Sequence, residues 1–116
     1  MRVVIVDDNQ QFRAAARLVL SDPDIQIVDE ATCAAEAESV IERAAPDVVL
    51  VDVGLTDGDG VELVARLASQ WPLIRWILTS ALAELGDRVR LSASPARAFV
   101  PKWELTPQRL REAAER

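Results

Sequence analysis

No stretch of this chain leaves less freedom than Val48-Val49-Leu50-Val51-Asp52. Four consecutive apolar residues, three of them β-branched, run straight into one carboxylate. A run without alternation predicts a strand covered on both faces, with helices above and below the sheet. The turn-rich segment Gly54-Leu55-Thr56-Asp57-Gly58-Asp59-Gly60 follows at once. Asp52 is then the first side chain of the strand able to meet water or an ion. Taken alone, an aspartate there reads as the start of a turn. Its meaning depends on what other segments bring to the same point.

The segments before it alternate between two periodicities. Arg2-Val3-Val4-Ile5-Val6 predicts a second buried strand, ending in Asp7-Asp8-Asn9. A helix follows, with Phe12, Ala15, Ala16 and Val19 on one face and Arg13 and Arg17 on another. Asp8 or Asn9 can cap it, so the acid pair has a purely structural reading beside a metal-binding one. Ser21-Asp22-Pro23-Asp24 is a turn, and Ile25-Gln26-Ile27-Val28 predicts a strand at the sheet edge. Thr32 can cap a helix over about Cys33 to Ala44, its stripe formed by Ala37, Val40, Ile41 and Ala44. Pro46 stops it. Cys33 reads as a small core or cap-adjacent side chain rather than a reactive thiol.

Beyond Asp52, the residues Val61, Leu63, Val64, Ala65, Leu67 and Ala68 define a third helix, ended by Trp71-Pro72. Leu73 to Leu78 predicts a strand running into Thr79-Ser80. Ala81 to about Leu91 carries a weak stripe and one glycine, and predicts a short or irregular helix. Ala98-Phe99-Val100 predicts a fifth strand, stopped by Pro101 and followed by Lys102. Thr106 with Pro107 behind it opens a last helix, with Leu110, Ala113 and Ala114 turned inward.

Five strands alternating with five helices imply an α/β, doubly wound parallel sheet with helices on both faces. The 116 residues are read as one domain. Half of them are hydrophobic, which argues against disorder. A net charge of −6 argues against a basic nucleic-acid surface. The chain has no histidine, so no mechanism can use one of its own. One cysteine forms no internal disulfide, and no apolar run is of membrane-spanning length. The expectation is a soluble cytoplasmic domain that does not touch membranes.

Polar residues recur just after the strands: Asp7 and Asp8, Asp52, Thr79, Lys102. In a parallel sheet those strand ends share one rim, where ligands and chemistry collect. Each has a bland reading: Thr79 as a cap, Lys102 as a solvated lysine. Their joint placement on one rim is what argues for a site.

With these residues in order, the whole chain resembles the response-regulator receiver domain of two-component signalling. The segment from Asp52 to Gly60 is similar to that family's phosphorylation loop, including its closing glycine. The resemblance implies the flavodoxin-like strand order 2-1-3-4-5, which is carried over with the family and not read from the chain. It implies Asp52 as phosphoacceptor, with Thr79 as the hydroxyl residue, Lys102 as the lysine and Phe99 as the switch aromatic. Phe99 reads equally as a core aromatic. Mg²⁺ is implied at Asp8, Asp52 and the Gly54 carbonyl, with Asp7 acting mainly through water. Three carboxylates about 4–5 Å apart cost roughly 3–4 kcal/mol per pair at an effective dielectric near 20, which a divalent cation relieves.

The implied partner is a sensor histidine kinase that supplies the histidine this chain lacks. A homodimer on phosphorylation fits the same pattern. The segment Ala98 to Leu105 resembles receivers joined to a helix-turn-helix DNA-binding domain, so DNA binding would belong to a longer parent chain. The domain would promote its own phosphorylation and dephosphorylation without turning over an external substrate.

Two positions depart from the family: Thr56 stands where proline is usual, and Trp103 follows Lys102 where proline is usual. The Lys102–Trp103 bond is therefore expected to be trans. These departures leave a second reading, a degenerate receiver that binds partners without phosphorylation. An aspartate-nucleophile phosphatase usually needs a second acid two residues on, where Gly54 stands. A flavin or nucleotide binder lacks its glycine-rich loop after the first strand.

Overall fold

The computed structural model describes residues 1–81 and 92–115. Its strands are β1 (Arg2–Val6), β2 (Gln26–Ala31), β3 (Val48–Asp52), β4 (Gly54–Leu55), β5 (Gly58–Asp59), β6 (Arg75–Ser80) and β7 (Ala98–Pro101). The helices are α1 (Gln10–Val19), α2 (Ala34–Ala44), α3 (Gly60–Ala68) and α4 (Pro107–Ala114). A single 3-10 turn, Lys102–Glu104, joins β7 to α4. The irregular helix expected over Ala81 to Leu91 lies, apart from Ala81, outside the described residues.

Five strands form one parallel sheet in the order β2-β1-β3-β6-β7. This is the order the family resemblance implied. The β3 strand is central, and all five of its residues are buried. Val3 to Val6 are likewise fully buried. Period-two alternation splits the strand residues between two helical layers. Val4, Val6, Val49, Val51, Trp76 and Leu78 pack with α2 and α3. Val3, Ile5, Val48, Leu50, Ile77 and Val100 pack with α1 and α4.

Local signals account for most helix ends. Asn9 caps α1 by accepting from the Phe12 N–H, and Thr106 caps α4 by accepting from the Arg109 N–H at 3.0 Å. Pro107 fills the first position of α4, and Leu110, Ala113 and Ala114 are buried as expected. Two details differ. On α1 the buried residue is Ala16, followed by a buried Leu20 at the C-cap, with Phe12 and Arg13 half-buried, while Ala15 and Val19 are exposed. The helix is turned by the pull of Leu20, the larger side chain and the one that reaches the sheet.

On α2 the cap residue is Cys33, not Thr32, and its side chain makes no capping bond. Thr32 instead gives its N–H and its hydroxyl to Glu36. The first N–H groups of α2 are satisfied from elsewhere. The Asp57 carboxylate accepts from Ala34 at 2.8 Å and from Ala35 at 3.1 Å.

The β3–α3 connection is a small antiparallel hairpin of β4 and β5. It closes on Gly60, whose N–H donates to the Val53 carbonyl at 2.9 Å. A Cβ at Gly60 would lie 2.0 Å from the Asp52 carbonyl oxygen. The glycine is therefore required by close approach of backbone to backbone. All peptide bonds among the described residues are trans, Lys102–Trp103 included.

Candidate functional site

The carboxyl ends of β1, β3, β6 and β7 meet on one rim. Asp7 and Asp8 follow β1, Asp52 ends β3, Thr79 is the penultimate residue of β6, and Lys102 follows β7. Asp52 and Thr79 are directly paired across β3 and β6. In the strand alternation Asp7, Asp52, Thr79 and Lys102 all continue the α1–α4 side of the sheet.

Asp7 is fully buried and Asp52 is 7 % exposed, while Asp8 is half-buried. One carboxylate oxygen from each lies within 4.8 Å of the others. Lys102 reaches into this group, with its Nζ 2.8 Å from Asp7 Oδ2 and 3.5 Å from Asp52 Oδ2. The ammonium also sits 4.1 Å from the centroid of the Phe12 ring. Backbone N–H groups hold each carboxylate from behind. Asn9 donates to Asp7 at 2.8 Å, Gly54 to Asp52 at 3.2 Å and Thr56 to Asp8 at 2.9 Å.

Burial is the largest influence on Asp52, and it pushes the carboxyl above its ordinary range. The neighbouring Asp7 charge pushes the same way. The Gly54 N–H and the Lys102 ammonium oppose them. Among the described residues, one ammonium against three carboxylates leaves a negative surplus in this cluster. The donors are hard oxygens with no sulfur or imidazole among them, which suits Mg²⁺.

Thr79 is fully buried, and its Oγ1 has no hydrogen-bond partner among the described residues. A buried hydroxyl left unpaired costs about 1–3 kcal/mol, so an acceptor arriving beside it would be favoured. Phe99 is half-buried and packs toward the α2–α3 layer. Gly54 has open space where a side chain would project.

Some participants were not anticipated from the sequence. Arg13 is 12 % exposed, donates to the Asp7 carbonyl at 2.6 Å, and pairs with Glu30 at 2.9 Å. Arg17 holds the other oxygen of Glu30. The spacing of Arg13 and Arg17 by one turn was the available signal, and an acid at the end of an edge strand was its complement. Phe12 had been assigned only to the core stripe. For Thr56 and Asp57 no local signal exists, because their partners lie far along the chain.

A family model for the response regulator receiver domain matches residues 3–115. The chain belongs to this family. Chemotaxis protein CheY of Listeria monocytogenes is 28 % identical over 116 residues, covering all of this chain and 97 % of CheY. PhoP of Escherichia coli K12, a transcriptional regulatory protein, is 32 % identical over 102 residues, covering 88 % of this chain but 45 % of PhoP. DevR/DosR of Mycobacterium tuberculosis, a DNA-binding transcriptional activator, is 37 % identical over 82 residues, covering 70 % of this chain and 38 % of its own length.

Among solved structures, the signal receiver domain of NarL from Mycobacterium tuberculosis superposes with a TM-score of 0.84 at 30 % identity. That match covers 99 % of this chain and 97 % of the other. The receiver therefore spans nearly the full length of CheY and less than half of the transcriptional regulators. Among the described residues no helix is long and apolar enough to cross a membrane.

Proposed function

We propose that this receiver takes a phosphoryl group onto Asp52 from a histidine kinase and uses it to change its output surface. One observation carries this reading: the carboxylates of Asp7, Asp8 and Asp52 converge within 4.8 Å, with Lys102 spanning Asp7 and Asp52. Such an arrangement is costly for stability and is explained by an ionic ligand.

A carboxylate oxygen of Asp52 attacks phosphorus, and a P–O bond forms. The P–N bond to the donor imidazole breaks, and its electron pair leaves with the imidazole nitrogen, which takes up a proton. No base is needed at Asp52, because its ionised form is already the nucleophile. Lys102 supplies positive charge to a phosphoryl oxygen as it leaves Asp7. Thr79 donates its unpaired hydroxyl to another. Mg²⁺, held by Asp8, Asp52 and the Gly54 carbonyl with Asp7 behind a water, would neutralise further charge on the transferring group.

Thr79 and Phe99 are assigned as the switch pair: Thr79 moves toward the phosphoryl group from the α1–α4 side, and Phe99 repacks on the α2–α3 side, without a ring hydroxyl to lock it. The domain acts on itself and not as a turnover enzyme. Its setting is cytoplasmic, where a kinase's phosphohistidine is accessible. DNA binding is assigned only to a longer parent, as DevR/DosR is a DNA-binding activator of which this chain matches 38 %.

Incubation with Mg²⁺ and a small phosphodonor tests the reading. The mass should rise by one phosphoryl group in the native protein and not in Asp52→Asn. Absence of any gain in the native protein, with Mg²⁺ binding intact, would instead support a phosphorylation-independent interaction module.

A further inference from the structure

The β4–β5 hairpin bridges the acidic rim and the start of α2. Its tip consists of Thr56 and Asp57. The Thr56 N–H donates to Asp8 Oδ2 at 2.9 Å. The Asp57 carboxylate takes the N–H groups of Ala34 and Ala35, which lie 23 and 22 residues away in the sequence. The start of α2 gains a cap that its own Cys33 does not provide. The tip also packs closely there: a Cβ on Gly58 would stand 3.4 Å from the Ala34 Cβ.

Two-residue strands form a marginal hairpin by themselves, so its geometry depends on these anchors. Asp8 needs an anchor for a different reason. Asp7 and Asp52 are both held by the Lys102 ammonium as well as by a backbone N–H. Among the described residues, the side chain of Asp8 has the Thr56 N–H as its hydrogen-bond partner. Repulsion from Asp7 and Asp52 would otherwise turn this half-buried carboxylate outward.

We propose that the hairpin tip is a positioning device for the cation. The Thr56 backbone N–H sets the orientation of Asp8, and Asp57 fixes the tip by clipping it to the start of α2. The inference rests on the reading of Asp7, Asp8 and Asp52 as a Mg²⁺ site. The orienting contact is the Thr56 N–H and not its side chain, so it is particular to this chain: the proline usual in the family at this position cannot make it.

Calorimetric titration of Mg²⁺ into the native protein and three variants tests this, with circular dichroism as a check on folding. Thr56→Ala keeps the N–H and should bind as the native protein does. Thr56→Pro removes it and Asp57→Ala releases the tip; each should bind roughly 10-fold more weakly, as expected for loss of a group that orients a metal ligand. In metal-free Asp57→Ala, the Thr56 amide should also exchange its hydrogen faster. Should Thr56→Pro not fold, Asp57→Ala and the exchange rate decide. Native-like affinity in Asp57→Ala, or equal losses in Thr56→Ala and Thr56→Pro, would overturn the inference alone. No Mg²⁺ binding by the native protein would overturn the underlying site as well.

Discussion

Lys102 is held by groups of two kinds. The carboxylates of Asp7 and Asp52 attract its charge, and the face of Phe12 attracts it through the ring quadrupole. Phe12→Leu keeps an apolar side chain of similar reach and deletes the ring. The loss should be about 1 kcal/mol at this partly desolvated ammonium. Initial rates of phosphorylation from a small donor should fall roughly five-fold, and the melting temperature should drop by about 4 °C, because the same contact is lost from the resting fold.

Asp52 gives a prediction with a sign. Its carboxyl is raised by burial and then by Asp7, so the ionised form is disfavoured in the fold. Around neutral pH this subtracts from stability, and the penalty is relieved as pH falls through the raised folded value. Metal-free Asp52→Asn should therefore melt above the native protein at neutral pH. The gap should close in acid, and melting curves with a chelator at two pH values check both halves. Both residues were visible in the sequence, but only one of these roles was. Asp52 announced itself by ending an apolar run. Phe12 looked like core, because a ring that packs and a ring that holds a cation have the same spacing.

At the scale of elements, the joint between β3 and α3 is the tightest point. The Gly60 Cα faces the Asp52 carbonyl, and Gly60→Ala would put a carbon 2.0 Å from that oxygen. Backbone must move to admit it, at about 2–3 kcal/mol. Chemical denaturation should show that loss, and Asp52 should be phosphorylated more slowly because its strand end has shifted. Strands β1 and β3 were legible because four consecutive buried positions leave few alternatives, whereas β2 and β6 run on to Ala31 and Ser80, past the ends expected at Val28 and Leu78. The faces of α1 were read less well. Ala15 and Val19 fit the spacing, yet Leu20 at the helix end took the buried place and left Leu18 80 % exposed. The cap of α2 was misplaced at Thr32 because local rules offer only neighbours. Asp57 won that role through tertiary approach, which spacing in the chain does not encode.

For the whole molecule, the sheet order decides which strand ends become neighbours. It was legible only through family resemblance, since alternation gives parallel strands but not their sequence across the sheet. Once they are side by side, three carboxylates gather on a protein whose net charge is already −6. Mg²⁺ should stabilise such a fold by mass action. At a hundred times its dissociation constant the gain is about 2.7 kcal/mol. Melting curves with and without Mg²⁺ should show that gain in the native protein and lose most of it in Asp8→Ala.

The pairing of Asp52 with Thr79 across β3 and β6 has one more consequence. If β6 slid by a single residue, Thr79 would swing to the opposite layer and Leu78 or Ser80 would take its place. A chain misfolded in this way would remain dense and helical, yet could neither receive a message nor pass one on. Correct strand alignment is thus what makes this molecule able to hear.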